Sequence, residues 1–456
     1  MSQDLVHLVY LLAALCFILA LKGLSTPRHA RAANLVGALG MVFAVAIAFG
    51  DGRIGNVGWI LAAIALGVVI GIPAARAVKM TAIPQMVALF NGVGGAAAAL
   101  VALTEFLATT GNAGMRAATV FGVLVGCVSF SGSLVTFLKL QELMTTRPVI
   151  LPYGRSTAIG VSVLCLGLAI AVVPTASTAL VLALTVAGLL LGVLFVLPVG
   201  GADVPIAISL LNAFTGLAVA ASGYVLGNTL LIVAGTLVGA SGTLLTRMMA
   251  KAMGRSLTNI LFGAFTPAAA GGGGPAESRT VRTGTPEDIA IMLGYARTVV
   301  VIPGYGLAVA QAQHVVRELA DLLAGRGVEV AYGIHPVAGR MPGHMNVLLA
   351  EADVPYAQLK EMEEVNPRLA STDVALVIGA NDVVNPAARD QPDSPIYGMP
   401  ILDVDKADSV VFLKRSMRPG FAGIENELLF NPRTTLLFGD AKDSLSSLVT
   451  AVKQLA

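Results

Sequence analysis

The stretch Thr298-Val-Val-Val-Ile-Pro-Gly-Tyr-Gly-Leu-Ala-Val-Ala310 decides the fold of the C-terminal part of the chain. Its first five residues form a continuous apolar run, which is typical of a strand buried on both faces. Glycines follow at once, and the pattern from Gln311 to Ala324 predicts an amphipathic helix after them. Strand, glycine turn and helix in this order form the context of a dinucleotide fingerprint. Val309 stands where the third Gly or Ala is usual, so the motif is weak without its flanking elements.

Further strands are predicted downstream of this unit. Apolar runs lie near residues 328–332, 374–379, 409–413 and 435–438, a final helix is expected over 442–455, and a short helix near Pro286 has Thr285 as its cap. Strands that alternate with helices predict a doubly wound parallel sheet of the Rossmann-like α/β class. Ligands of such sheets bind at the carboxyl ends of the strands. Those ends carry Gly379-Ala-Asn-Asp382, Lys414-Arg-Ser416 and Gly439-Asp-Ala-Lys442.

The kind of nucleotide follows from the strand ends. An NAD site has an acid at the end of the second strand, where it binds the ribose 2′-hydroxyl. Here that strand ends Ala331-Tyr-Gly-Ile-His335, without an acid. Lys414, Arg415 and Ser416 offer two cations and a hydroxyl, which suit a 2′-phosphate. NADP is therefore favoured over NAD, the alternative being that Lys414 and Arg415 are only a solvated strand end.

The N-terminal half has the composition of a membrane protein. Residues 1–256 hold 13 Lys+Arg and 5 Asp+Glu, whereas residues 257–456 hold 16 and 22. A bilayer requires about 20 apolar residues per helix. On that scale nine spans are predicted, at 4–21, 33–50, 57–76, 83–107, 117–139, 157–174, 178–197, 205–223 and 228–250. The chain is thus expected to be a multi-pass helical bundle, in contact with membrane lipid, followed by the α/β domain. The overall charge gives no reason to expect nucleic acid.

The distribution of basic residues predicts the orientation of the chain in the membrane. The connections after spans one, three, five and nine carry Lys22, Arg28, Arg31, Arg76, Lys79, Lys139, Arg147, Arg155, Arg247, Lys251 and Arg255, and the other side has only Arg53 and Arg116. Positive charge concentrates in cytoplasmic loops. The N-terminus is therefore expected outside the cell (inner) membrane and the C-terminal domain in the cytoplasm.

Polar residues at membrane depth are costly unless they are partnered. The candidates are Asn91, Glu105, Ser129, Ser131, Asp203, Ser209, Asn212, Thr215 and Ser222. Each forms either a helix–helix hydrogen bond, which is the commoner role, or part of a transport path. Asn91 and Asn212 lie in Gly/Ala-rich helices beside further small polar residues, and we expect them to line a narrow hydrated path.

Several segments together resemble the beta subunits of proton-translocating NAD(P) transhydrogenase. The resemblance covers nearly the whole chain, and the segment from His335 to Ala352 is long enough to be specific. The segments are Gly304-Tyr-Gly-Leu-Ala-Val-Ala-Gln-Ala312, His335-Pro-Val-Ala-Gly-Arg-Met-Pro-Gly-His-Met-Asn-Val-Leu-Leu-Ala-Glu-Ala352, Gly379-Ala-Asn-Asp-Val-Val-Asn-Pro386, Phe412-Leu-Lys-Arg-Ser-Met417, Gly55-Asn-Val-Gly-Trp-Ile-Leu61, Gly200-Gly-Ala-Asp-Val-Pro205 and Gly235-Thr-Leu-Val-Gly-Ala-Ser-Gly242.

The resemblance implies a role for each matching residue. Lys414, Arg415 and Ser416 would hold the 2′-phosphate, and Asp440 and Ala441 would lie at the adenosine end. Asn381 and Asp382 would lie near the nicotinamide, where the protonation of Asp382 responds to the redox state of the cofactor. The lid would include Gly420 and Phe421. The other implied cofactor-binding residues are Gly304, Tyr305, Gly306, Val337, Ala338, Gly339, Arg340, Gly379, Ala380, Gly398 and Met399. Asn91, Asp203 and Asn212 would mark the proton path.

Two residues depart from the family pattern. Some members carry a protonatable His at the position of Asn91, and an Asn side chain does not titrate near neutrality. The proton carrier would then come from another helix or subunit, or from His7, which lies close to the outer end of the first span. Phe421 stands where a Tyr is common, which removes one hydroxyl from the lid.

The leading functional hypothesis is hydride transfer from NADH to NADP+, driven by inward proton flow. Residues 1–256 would form the proton-conducting membrane domain, 257–285 a flexible Gly/Pro/Ala linker, and 286–456 the cytosolic NADP-binding domain. One fingerprint supplies one nucleotide site, so NAD(H) would bind to a partner. The resemblance implies that this partner is an alpha subunit and that the assembly is a dimer of alpha–beta units. No catalytic acid–base residue and no metal site are expected. The alternatives are an ion channel or transporter gated by a nucleotide-sensing domain, and a non-enzymatic NADP-binding scaffold.

Overall fold

The computed structural model describes residues 3–24, 29–50, 55–78, 82–108, 111–141, 143–145, 149, 151–200, 203–252, 280–339, 343–392, 394, 396–420 and 422–455. They fall into two compact units, a helical unit and an α/β unit. The Gly/Pro/Ala linker predicted at 257–285 lies outside the described residues up to residue 279. Residues 282–284 run alongside the last strand of the sheet, where Thr283 forms a parallel bridge with Leu436.

Nine helices within the described residues are long and apolar enough to cross a bilayer. They are α1 Gln3–Leu24, α2 Ala30–Gly50, α3 Val57–Ala77, α4 Ile83–Ala108, α5 Ala113–Leu140, α6 Gly154–Thr175, α7 Thr178–Val196, α8 Val204–Val225 and α9 Thr229–Ala252. All nine predicted spans are confirmed as helices, with ends within a few residues of those expected. Among them α3 has no buried residue.

Small residues let α4 and α5 pack closely. A Cβ on Gly126 would lie 2.9 Å from the Cβ of Ala99, and a Cβ on Gly95 would lie 3.0 Å from the backbone nitrogen of Phe130. Both distances are shorter than an ordinary contact, so larger residues at these positions would push the two helices apart. The register between α4 and α5 is therefore set by backbone-to-backbone approach.

The α/β unit contains one parallel sheet of six strands in the order β3-β2-β1-β4-β5-β6. The strands are β1 Thr298–Pro303, β2 Glu329–Ile334, β3 Leu359–Glu361, β4 Val374–Ile378, β5 Ser409–Lys414 and β6 Thr434–Phe438. The helices are α10 Pro286–Gly294, α11 Tyr305–Val309, α12 Gln313–Gly325, α13 His344–Glu351, α14 Met362–Leu369, α15 Ala387–Asp390 and α16 Ala441–Gln454. This is the strand order of a Rossmann-like fold, so the predicted doubly wound sheet is confirmed.

The apolar run of β1 is buried on both faces because its side chains alternate between two cores. Val299 and Val301 pack into one core with residues of α10, α12, α13 and α16. Val300 and Ile302 pack into the other, with residues of α14 and of the segments that flank β5. The central position of β1 follows from this two-sided burial.

The chain departs from the sequence prediction after the glycine turn. Instead of one helix from Gln311, α11 occupies one turn, Gln311 takes a left-handed backbone with φ 52°, and α12 begins at Gln313. The left-handed backbone at Gln311 interrupts the helical hydrogen bonds, and the chain changes direction between α11 and α12. Helices α13 to α15 and the edge strand β3 were not predicted. β3 has only three residues, too few to show an alternating pattern.

Candidate functional site

The candidate nucleotide site lies at the carboxyl edge of the sheet. Because the strands are parallel, the segments after β1, β2, β4, β5 and β6 all meet at this edge, and the order of the strands reverses between β1 and β4. Ligands of open α/β sheets bind at such a switch point. Of the residues predicted for the site, Arg340 and Phe421 lie outside the described part of the chain.

The glycine turn after β1 packs directly on the turn after β4. The Gly304 N–H donates to the Ile378 carbonyl at 2.8 Å, and the Gly306 N–H donates to the Gly379 carbonyl at 2.9 Å. A Cβ on Gly304 would lie 2.5 Å from Cα of Ala380. Glycine is required here for the approach of two backbones, in addition to any approach of a ligand.

His335 joins the turn after β2 to a second predicted segment. The residue is 1% exposed, its Nε2 lies 2.7 Å from the Pro400 carbonyl oxygen, and its Nδ1 accepts the Val337 N–H at 3.2 Å. Only a neutral ring with its hydrogen on Nε2 satisfies both bonds. Burial lowers the pKa of His335, which favours the same neutral form. The His335 ring thereby links the backbone of Val337 to that of Pro400.

Tyr305 and His344 bring the turns after β1 and β2 together. The centroids of their rings are 6.4 Å apart, and a Cβ on Gly339 would lie 2.8 Å from Cγ of His344. Gly339 has φ 104°, a conformation that favours glycine. His344 is fully buried at the start of α13, and nothing in the local sequence pattern singled it out.

A chain of polar contacts links the ends of β5 and β4 to the segment that carries the predicted lid. Lys414 Nζ donates to Asn381 Oδ1 and to the Arg418 carbonyl, each at 3.1 Å. Asn381 Nδ2 donates to Asp382 Oδ1 at 3.0 Å, and Asp382 Oδ2 accepts the Ala422 N–H at 2.8 Å. Burial lowers the pKa of Lys414, and the Asp382 carboxylate opposes that shift.

The two predicted phosphate-binding cations are held differently. Lys414 is half-buried in the contacts just described, whereas the Arg415 side chain is 63% exposed and pairs with Asp440, at 2.8 Å between Nη2 and Oδ2. Asp440 is the N-cap of α16, where its Oδ1 accepts the Lys442 N–H at 3.0 Å. Ser416 Oγ accepts the Arg418 N–H at 3.4 Å. Two cations and a hydroxyl at adjoining positions of one strand end are suited to an anion.

In the helical unit, Asn91 belongs to a hydrogen-bond network between three helices. Asn91 of α4 donates through Nδ2 to Ser133 Oγ at 2.8 Å and to Ser129 Oγ at 3.3 Å, both on α5. Ser129 Oγ in turn donates to the Leu211 carbonyl of α8 at 2.8 Å and lies 2.6 Å from Thr215 Oγ1. Asn91 is 8% exposed, and its Oδ1 has no hydrogen-bond partner among the described residues.

The other two predicted path residues lie outside this network as described. The Asn212 side chain, next to Leu211 on α8, is exposed, and Asp203, directly before α8, is half-buried. Ser133 was not among the polar residues singled out in the sequence. Its spacing of four residues from Ser129 on the same helix is the signal that points to it.

Lys139 is a further residue whose environment the sequence did not reveal. It was counted with the basic connection after the fifth span, but it lies inside the end of α5 and is 1% exposed. Its Nζ donates to the carbonyls of Val196, Leu197 and Val199 at 3.2, 2.5 and 2.6 Å. These carbonyls end α7, and a cation is favourable at the C-terminus of a helix.

Comparison with known proteins assigns the family. The family model for the NAD(P) transhydrogenase beta subunit matches residues 6–451. The NAD(P) transhydrogenase subunit beta of Rhodospirillum rubrum is 47% identical over 463 residues, which cover 99% of this chain and 100% of that protein. The protein of the same description from R. rubrum strain ATCC 11170 gives the same values. The chain therefore belongs to the NAD(P) transhydrogenase beta-subunit family, as an integral membrane protein with a Rossmann-like nucleotide-binding domain.

Proposed function

We propose that the chain binds NADP(H) at the carboxyl edge of its sheet and works in hydride transfer between NADH and NADP+, coupled to proton movement. The observation that carries this proposal is the charge at the strand ends. Lys414 ends β5 and Arg415 follows it, whereas β2 is followed by the buried, neutral His335. Two cations suit a 2′-phosphate, and an acid at the end of β2 would suit a 2′-hydroxyl. Membership of the family supports the same assignment.

Each part of the edge has a proposed task. Arg415, Lys414 and Ser416 bind the 2′-phosphate, and Asp440 and Ala441 adjoin the adenosine. Asn381 and Asp382 adjoin the nicotinamide and are covered by the segment that contains Gly420 and Phe421. The remaining proposed contacts are Gly304, Tyr305, Gly306, Val337, Ala338, Gly339, Arg340, Gly379, Ala380, Gly398 and Met399. When bound, the nicotinamide supplies the hydride chemistry, and these residues supply position and electrostatics.

A partner subunit completes the proposed enzyme. Hydride transfer requires two nicotinamides in direct contact, and the switch point of this sheet offers one nucleotide site. NAD(H) therefore binds to an alpha subunit, in accordance with the beta-subunit description of the relatives. We further propose that two alpha–beta units form a dimer in the lipid bilayer.

We propose that the membrane domain, residues 1–256, conducts protons past Asn91, Asp203 and Asn212 into the cytoplasm. The nucleotide-binding domain, residues 286–456, follows the 257–285 linker and is proposed to lie in the cytoplasm. The distribution of basic residues supports an N-terminus outside the membrane. A proton that crosses 100 mV gains about 2.3 kcal/mol, roughly fiftyfold in an equilibrium. Because Asn91 does not titrate, the protonatable group of the path is supplied elsewhere.

The test is reconstitution of the chain with its alpha partner in vesicles that contain a pH-sensitive dye. NADH and thio-NADP+ are added, and reduction is followed together with internal pH. We expect reduction to change the internal pH and to respond to an uncoupler. Reduction without a pH change would contradict proton coupling, ion flux without reduction would favour a nucleotide-gated channel, and NADP+ binding no tighter than NAD+ binding would contradict the cofactor assignment.

A further inference from the structure

The ion pair at the end of β5 joins a movable cation to a fixed anion. Arg415 is the movable member, because its side chain is 63% exposed, while that of Asp440 is 36% exposed. Asp440 is fixed by α16: its Oδ1 accepts the Lys442 N–H at 3.0 Å, and its carbonyl accepts the Ser444 N–H at 2.9 Å. The carboxylate therefore keeps its place whether or not Arg415 is bound to it.

The second cation of the site is differently engaged. Lys414 Nζ donates to Asn381 Oδ1 and to the Arg418 carbonyl, both of which are uncharged. Of these two cations, Arg415 is therefore the one whose charge is already neutralised by direct contact with a carboxylate. An anion that arrives at this strand end meets Lys414 as a cation and Arg415 as half of an ion pair.

We propose that Asp440 competes with the cofactor 2′-phosphate for Arg415 and so sets both the affinity for NADP(H) and the preference over NAD(H). This inference rests on the proposed function. A 2′-phosphate carries up to two negative charges, and the fixed carboxylate repels it even if Arg415 bridges the two anions. NAD(H) lacks the phosphate, so the charge of the carboxylate affects its affinity less than that of NADP(H). Asp440 thereby limits how tightly NADP(H) is held and favours its release in each cycle.

The size of the effect follows from the exposure of the pair. Exposed ion pairs contribute little to stability, and the repulsion of the phosphate acts in the same direction. We therefore expect removal of the carboxylate to tighten NADP+ binding about three- to tenfold. The gain should shrink at high salt, because screening weakens interactions between exposed charges.

The substitution Asp440→Asn tests this on the full chain in detergent. Asn caps a helix about as well as Asp, so α16 keeps its N-terminus. Asp443→Asn is the matched control: it removes the same charge from an exposed residue in the first turn of the same helix. Dissociation constants for NADP+, NAD+ and 2′,5′-ADP are measured by calorimetry at 0.05 and 0.5 M KCl.

Asp440→Asn should bind NADP+ and 2′,5′-ADP three- to tenfold more tightly than the wild type at low salt, and should change NAD+ binding by a smaller factor. Asp443→Asn should change neither by more than twofold. In an Arg415→Met background, Asp440→Asn should give a smaller gain, because only the direct repulsion of the phosphate by the carboxylate is then relieved. Weaker or equal NADP+ binding by Asp440→Asn overturns the inference, as does a gain without Arg415 that equals the gain with it. If the wild type itself shows no preference for NADP+ over NAD+, the proposed function fails instead.

Discussion

Gly379 closes β4 where the turn of β1 packs against it, and its replacement by Ala tests how tightly these two strand ends are joined. The backbone at Gly379 has φ 68°, and a Cβ there would lie 2.5 Å from the Leu307 nitrogen and 2.6 Å from the Gly306 carbonyl carbon. The left-handed conformation costs an Ala about 1–2 kcal/mol. Forcing a methyl group between two backbones costs about 1–3 kcal/mol more.

A control substitution at Gly327 separates the conformational cost from the packing cost. Gly327 has φ 87° and nothing within 4 Å of a Cβ, so Gly327→Ala carries only the conformational cost. The difference between the two variants is the packing term, about 1–3 kcal/mol, which corresponds to about five- to 150-fold in the equilibrium for local opening.

The assay is hydrogen exchange of the full chain in detergent, read at the amides of β1 and β4. These amides should exchange about five- to 150-fold faster in Gly379→Ala than in Gly327→Ala. NADP+ binding should weaken in Gly379→Ala only, because residues 304–306 lose their support. Equal exchange rates in the two variants would refute the view that close approach of the two backbones determines the stability of this edge of the sheet.

Three further substitutions test other parts of the structure. Lys139→Met removes the ammonium donor from three carbonyls, of which those of Val196 and Leu197 also accept a backbone N–H. It should lower the free energy of unfolding of the helical unit by about 1–3 kcal/mol, measured by circular dichroism on heating; an unchanged midpoint would contradict the buried role. Because burial lowers the pKa of His335, the unfolded state binds more protons below about pH 6.5, so the stability of the α/β unit should fall below that pH by up to about 1.4 kcal/mol per unit. His335→Gln should flatten that dependence between pH 7.5 and 5.5, and an identical slope would refute it. Asn91→Ala removes the donor to Ser133 and Ser129, and should slow proton-coupled reduction in vesicles more than it weakens NADP+ binding; equal losses would argue against a place in the path.

Much of the architecture was predictable because it depends on local signals. The run from Thr298 to Ile302 is apolar without interruption because β1 is central and buried on both faces, and such a run is visible in any window of sequence. The nine spans are equally plain, because each must be apolar over its whole length. The strand ends are predictable for the same reason, since each follows a recognisable strand.

What escaped prediction depends on partners that are remote in sequence. Lys139 looks like a loop cation, and only the fold brings it to carbonyls 57–60 residues away. The contact between Asn91 and Ser133 depends on the register of α4 against α5, which is set by glycine contacts that no single segment reveals. Strand β3 exists because β2 offers it an edge, and its own three residues carry no signal.

The position of Lys139 also has a consequence for the order in which the chain is made. The residues whose carbonyls accept hydrogen bonds from Lys139 follow it in the chain by 57–60 positions. They are therefore translated about 3–12 s later at ordinary rates of synthesis. Until then a charged ammonium at the end of α5 has to remain at the aqueous surface, which its long side chain permits. The C-terminal end of α5 therefore gains these hydrogen bonds only after α7 has been made, and a ribosome stalled within α6 would leave Lys139 without its carbonyl partners.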